Sequence, residues 1–186
     1  MPTIVHGFDW PDRLVVGTIG APGARSFYLQ ARDGSRVVSV ALEKQQSALL
    51  AEKVDEILDQ LRETEGNRWS VPQATPVELV DNDPLDQPVE PEFRTGAMTL
   101  GWDPTTAQVV IEAYAFDDSQ EEADPDWPDA EAPEPTEMMQ IRIPVGTARA
   151  FATRTLEVVG QGRPICDVCG HPIDPEGHTH TFSDEV

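Results

Sequence analysis

The chain has 186 residues, of which 39% are hydrophobic and 17 are proline, so it can bury one core of ordinary size while part of its length stays in loops. Its formal charge of −21 opposes phosphate backbones and anionic lipid headgroups, which argues against nucleic acid and membrane surfaces as partners. No basic leader with an apolar stretch opens the sequence, and no window approaches the roughly 20 apolar residues of a membrane span, so a cytoplasmic location is expected.

In chain order, Arg13 to Ile19 reads as a strand, Gly20-Ala21-Pro22-Gly23 as a break, Ser26 to Ala31 as a second strand and Val37 to Leu42 as a third. Asp33-Gly34 between two β-rich runs is a hairpin signal, because Gly accepts the positive φ of a tight turn. From Glu43 the period changes. Leu50, Val54, Ile57, Leu58 and Leu61 fall on one helical face, which predicts a helix of about 18 residues packed on the sheet.

The second half repeats the plan. Phe93 to Trp102, Gln108 to Phe116 and Met139 to Ile143 read as strands, with an Asp103-Pro104 turn after the first. A helix then carries Ala148, Phe151, Ala152, Val158 and Val159 on one face, with Pro144 at its start and Gly160, Gly162 and Pro164 as its stop. The expected fold is α+β: two β-β-β-α units, about residues 12–65 and 93–160, forming a mostly antiparallel sheet with two helices. They make up a domain over residues 1–160, followed by a small tail over 161–186. Residues 66–92, rich in proline and acid, read as the linker between units. Residues 117–137 hold many Asp and Glu and no Lys or Arg, and read as a loop kept open by self-repulsion.

The tail concentrates the chemistry. Both cysteines of the chain, Cys166 and Cys169, and three of its four histidines, His171, His178 and His180, lie there. A C-x2-C turn converges two thiolates on one cation, and the Pro- and Gly-containing stretch after it can fold back. Cys166, Cys169, His178 and His180 would then form a tetrahedral, closed, structural zinc site, one ion per chain. His178 and His180, two apart, point the same way if extended; His171 competes for one position, and a pair of free thiols is the plain alternative. A redox pair is disfavoured because Pro172 and Pro175 prevent a following helix, and a c-type haem because Gly170 separates Cys169 from His171.

Elsewhere no nucleophile constellation and no phosphate loop before a helix is visible, and His6 stands alone as a partly exposed residue. Glu43-Lys44-Gln45 sits where a strand becomes a helix, with Arg25 and Arg94 on nearby strands. Convergence of these groups in a concave pocket would favour a ligand-binding protein or an enzyme; scatter on a convex face would favour an interaction protein.

The runs Arg25 to Gln30, Leu42 to Gln46, Phe93 to Asp103, Phe151 to Arg154 and the tail from Gly162 to His178 resemble, in the same order, the bacterial family catalogued as domain of unknown function 3090. Members close with a C-x2-C, a Pro-Asp-Pro-Gly type turn and a Gly-His-x-Cys ending before a short basic tail. Here His180 stands where the resemblance implies Cys, and the end, Thr181 to Val186, is acidic. The resemblance implies a cytoplasmic bacterial protein with one metal site and carries no activity with it. The leading expectation is therefore a non-catalytic interaction or scaffold protein, with a zinc-stapled tail facing a protein partner. The alternative is a small-molecule-binding protein or enzyme acting on an anionic metabolite near Glu43 and Lys44.

Overall fold

A computed structural model describes residues 2–64, 66–118, 135–162, 166–169, 173 and 177. Within them the elements run β1 (Ile4–Asp9), β2 (Arg13–Ile19), β3 (Ser26–Asp33), β4 (Arg36–Leu42), α1 (Lys44–Glu63), β5 (Pro91–Asp103), β6 (Gln108–Ala115), β7 (Glu137–Pro144) and α2 (Val145–Gly160). The protein is α+β, with the two expected β-β-β-α units side by side in one seven-stranded sheet of order β1-β7-β6-β5-β4-β3-β2. Each unit is an antiparallel meander followed by a helix, and the units join through β4 and β5, which run parallel because α1 carries the chain back. The acidic loop lies largely outside the described residues.

The strand that sequence patterning passed over is β1. It pairs in parallel with β7, Ile4 opposite Glu137 and Phe8 opposite Ile141. Its neighbour in the chain, β2, is the opposite edge of the sheet. Only Trp10, Pro11 and Asp12 join the two, so the sheet curls until its edges meet at that corner. Trp10 takes φ 55° to make the turn, and its N–H donates to the Arg142 carbonyl at 2.9 Å. From β4, Arg36 reaches across, donating to the Gly7 carbonyl at 2.8 Å and stacking on Phe8.

The concave face follows from the period-2 alternation of apolar residues. Val16, Leu29 and Val40 form one fully buried row across β2, β3 and β4, and Ile111 and Ile141 another across β6 and β7. Leu50, Ala51, Val54 and Leu58 of α1 and Ala148, Phe151 and Ala152 of α2 fill the space above them. The helices pack on one another, and α2 also rests on β2. Arg149 of α2, buried, fixes this pairing by donating to Asp55 and Asp59 of α1 at 2.7 and 2.9 Å.

Residues 66–92 do more than connect the units. Residues 81–86 wrap the β2 edge and cover the convex face of β2 and β3. Gln30 donates to the Asp86 carbonyl and accepts from the Asp86 N–H, at 3.0 and 2.8 Å. Asp81 is held by Arg13 of β2 and Arg154 of α2, and Arg154 also donates to the Val16 carbonyl, which guards the sheet edge. Leu85, buried, sits where a side chain at Gly17 would be: a Cβ there would lie 2.5 Å from Leu85 Cγ. Gly17→Ala is therefore expected to destabilise the fold by about 1–3 kcal/mol through overpacking. In urea denaturation, Leu85→Ala should cancel part of that loss in the double variant; strict additivity would show that the two sites do not meet.

Candidate functional site

Where β3 begins, β4 ends and α2 stops, the surface opens into a cleft of about 790 Å³. Arg25 comes from the residue before β3, Glu43 and Lys44 from the junction of β4 with α1, Arg94 from β5, and Val159, Gly160 and Gly162 from the end of α2. Phe27, Tyr28 and Leu42 complete its walls.

Local sequence explains the placement. Gly20 and Gly23, at φ 104° and 90°, turn the chain so that Arg25 enters β3 at the rim. Gln46, in the first turn of α1, accepts the Glu43 N–H at 2.8 Å and donates to the carbonyls of Thr95 and Gly96 at 3.1 and 2.9 Å. That side chain ties the start of α1 to β5, and Lys44 and Arg94 line the same cleft. Gly96 matters for another reason. A Cβ there would stand 3.1 Å from the Phe116 Cα, so its absence lets Phe116 close on β5, where its ring lies under the Arg94 guanidinium at 4.5 Å. Gly162 leaves room for Lys44, whose Nζ would lie 3.4 Å from a Cβ at that position.

The charge balance is unusual for so acidic a chain. Among the described residues, Arg13, Arg32, Lys53, Arg142, Arg149 and Arg154 each have a carboxylate partner, whereas no ion pair involves Arg25, Lys44 or Arg94. Arg25 donates to the Val158 carbonyl at 3.4 Å and stacks on Phe27 at 5.4 Å. Stacking holds a guanidinium by its face and leaves N–H groups at its edge for an acceptor. Three cations thus face one cleft, and among the described residues Glu43 is the only acid lining it. The N-terminus of α1 opens at the same place, closed by a capping box in which the Glu43 side chain accepts the Gln46 N–H.

Of the residues singled out from sequence, Glu43, Lys44, Arg25 and Arg94 converge in this concavity; Gln45 is exposed and does not line it. Tyr28 and Val159 were not anticipated, because the sequence spacing carries no sign that the end of α2 returns to the start of β3. Of the tail, Cys166 is buried and Cys169 half-buried within a turn over residues 167–169, and the Val168 N–H points at Cys166 Sγ, 3.4 Å away. A backbone donor directed at sulfur suits a thiolate at Cys166. His171, His178 and His180 lie outside the described residues.

Most of the residues that line the cleft fall in runs that carry the family resemblance, and the family model of a protein of unknown function, DUF3090, matches residues 6–180. The chain belongs to the DUF3090 family. No curated protein and no solved structure matches it. Among the described residues of this DUF3090 protein, no helix is long and apolar enough to cross a membrane.

Proposed function

We propose that the protein binds a small organic anion in the cleft between β3, β4, β5 and the end of α2. The observation that supports this is the convergence of Arg25, Lys44 and Arg94 without acidic partners among the described residues. Leaving three cations together has an electrostatic cost, which an anionic ligand would relieve. The volume is within the range of small-molecule sites and exceeds the needs of an inorganic ion, and Phe27, Leu42 and Val159 offer an apolar wall for an organic body. The Ser26 and Tyr28 side chains add hydroxyls for orientation.

A thermal-shift panel of di- and tricarboxylates, sugar phosphates and nucleotides, followed by calorimetric titration of whatever stabilises the protein, tests this. Each charge-assisted contact is worth roughly 1.5–3 kcal/mol, so Lys44→Glu or Arg94→Glu should weaken binding by about 10- to 100-fold or more. Binding that is equal in wild type and both variants, or a panel without any stabilising anion, would end this reading.

The tail is proposed as a structural zinc knuckle, with Cys166, Cys169, His178 and His180 as ligands. Its support is that Cys166 is buried, with the Val168 N–H aimed at its sulfur. A rigid knuckle of this kind would present a surface to a protein partner, the interaction role expected from the sequence, and it sits only a few residues beyond Gly162 at the rim of the cleft.

A further inference from the structure

We propose a second binding site, for a divalent transition-metal cation, where His6 of β1, Glu92 of β5 and Glu137 of β7 meet. One donor atom from each of the three lies within 4.8 Å of the others, and His6 Nε2 stands 2.6 Å from Glu137 Oε1. None of the three lines the anion cleft.

The site is assembled by strands. The β1–β7 register sets Ile4 opposite Glu137, so His6 and Glu137 lie two positions apart along the same parallel pair. The Ile4 N–H on the Thr136 carbonyl and the Thr3 hydroxyl on the Pro135 carbonyl lock that end, at 3.0 and 2.8 Å. The Phe93 ring lies 6.4 Å from the His6 ring, which restricts the imidazole from the β5 side. Side chains of His6 and Glu137 are only 17% and 22% exposed, so two ligands are held in place before any ion arrives.

A simple ion pair of His6 with Glu137 accounts for two of the three groups. It gives no reason for Glu92, which is exposed and able to turn to water, to stand beside a second carboxylate in a chain of charge −21. A dication gives one. It would replace the proton shared by His6 and Glu137 and open their contact slightly, since ligand atoms about 2.0–2.2 Å from one ion lie more than 2.6 Å apart. One imidazole nitrogen with two carboxylate oxygens matches manganese, iron(II) or zinc. Calcium asks for six to eight oxygens, and none of the three donors is a thiolate that would select a soft ion. Three protein ligands leave positions open to water or to a substrate oxygen.

Manganese separates this site from the cysteine tail, because it prefers oxygen and nitrogen to thiolate. Binding of Mn2+ to the full chain is followed by loss of the free-ion electron paramagnetic resonance signal. The expected result is one Mn2+ per chain, weakened at least tenfold in His6→Ala and several-fold in Glu92→Gln, with the Cys166→Ser, Cys169→Ser double variant binding as wild type does. Glu92 is exposed, so Glu92→Gln tests the site without threatening the fold. No binding at millimolar Mn2+, equal binding in wild type and Glu92→Gln, or a loss confined to the cysteine variant would each overturn the proposal.

Discussion

Asp81→Asn is expected to lower the stability of the protein by about 2–4 kcal/mol at neutral pH, because it takes from two guanidiniums with little water their nearest counter-charge and leaves Arg13 only Asp86, at 3.4 Å. Arg13 and Arg154 are 7% and 11% exposed in their side chains, and both take their shortest carboxylate contact from Asp81, at 2.6 and 2.9 Å. The Arg13 hydrogen bond, above all, holds the Asp81 carboxyl below its usual range. A carboxyl with a depressed folded pKa stabilises the native state above its unfolded value, about 3.9, and that contribution is lost as pH falls through the folded value. The gap between wild type and Asp81→Asn in urea denaturation should therefore be constant above about pH 5 and shrink below pH 4. A gap that persists undiminished at pH 3 would show that the amide fails by shape and that charge is not the cause.

The second large effect concerns the proposed zinc knuckle. Freshly purified, reduced protein should carry about one zinc per chain, and Cys166→Ser or Cys169→Ser should bring that to zero by elemental analysis. Chelation should leave the main thermal transition almost unchanged. The core rows on β2 to β4 and on β6 and β7, together with both helices, are complete by Gly160, before the first cysteine. His171→Ala should retain the ion if His178 and His180 are the ligands. Zinc-free wild-type protein, or full zinc in the cysteine variants, would remove the knuckle from the account.

The fold was legible where the signal was local. Leu50, Val54 and Leu58 recur at helical spacing and are buried, and Asp33-Gly34 does turn β3 into β4, with Gly34 at φ 59°. Local patterning was silent on long-range partners. Ile4 and Val5 of β1 are exposed, so the strand lacks the clear alternation of a half-buried one, and its partner is over a hundred residues away. Arg149 and Thr155 interrupt the apolar face of α2 yet are buried, one by ion pairs to α1 and the other by its hydroxyl on the Phe151 carbonyl. The cleft was half legible: Glu43 and Lys44 announced a strand-to-helix junction, but that Arg25 and Arg94 face it depends on how β3 and β5 flank β4. In the sequence His6 looks solitary because its carboxylate neighbours, Glu92 and Glu137, come from the distant strands β5 and β7.

The pairing of β1 with β7 has a consequence for the protein during its synthesis. His6 and Glu137 are 131 positions apart, so β1 leaves the ribosome long before the strand that completes it exists. At translation rates of roughly 5–20 residues per second, the interval is of the order of ten seconds. During that time the first meander and α1 can already assemble, since β3 pairs with β2 and β4, all of which have emerged. β1 waits beside them as an open edge carrying Ile4 and Val5, a template for unwanted strand pairing. The nascent chain thus carries an open edge at β1 that is covered only when β7 arrives.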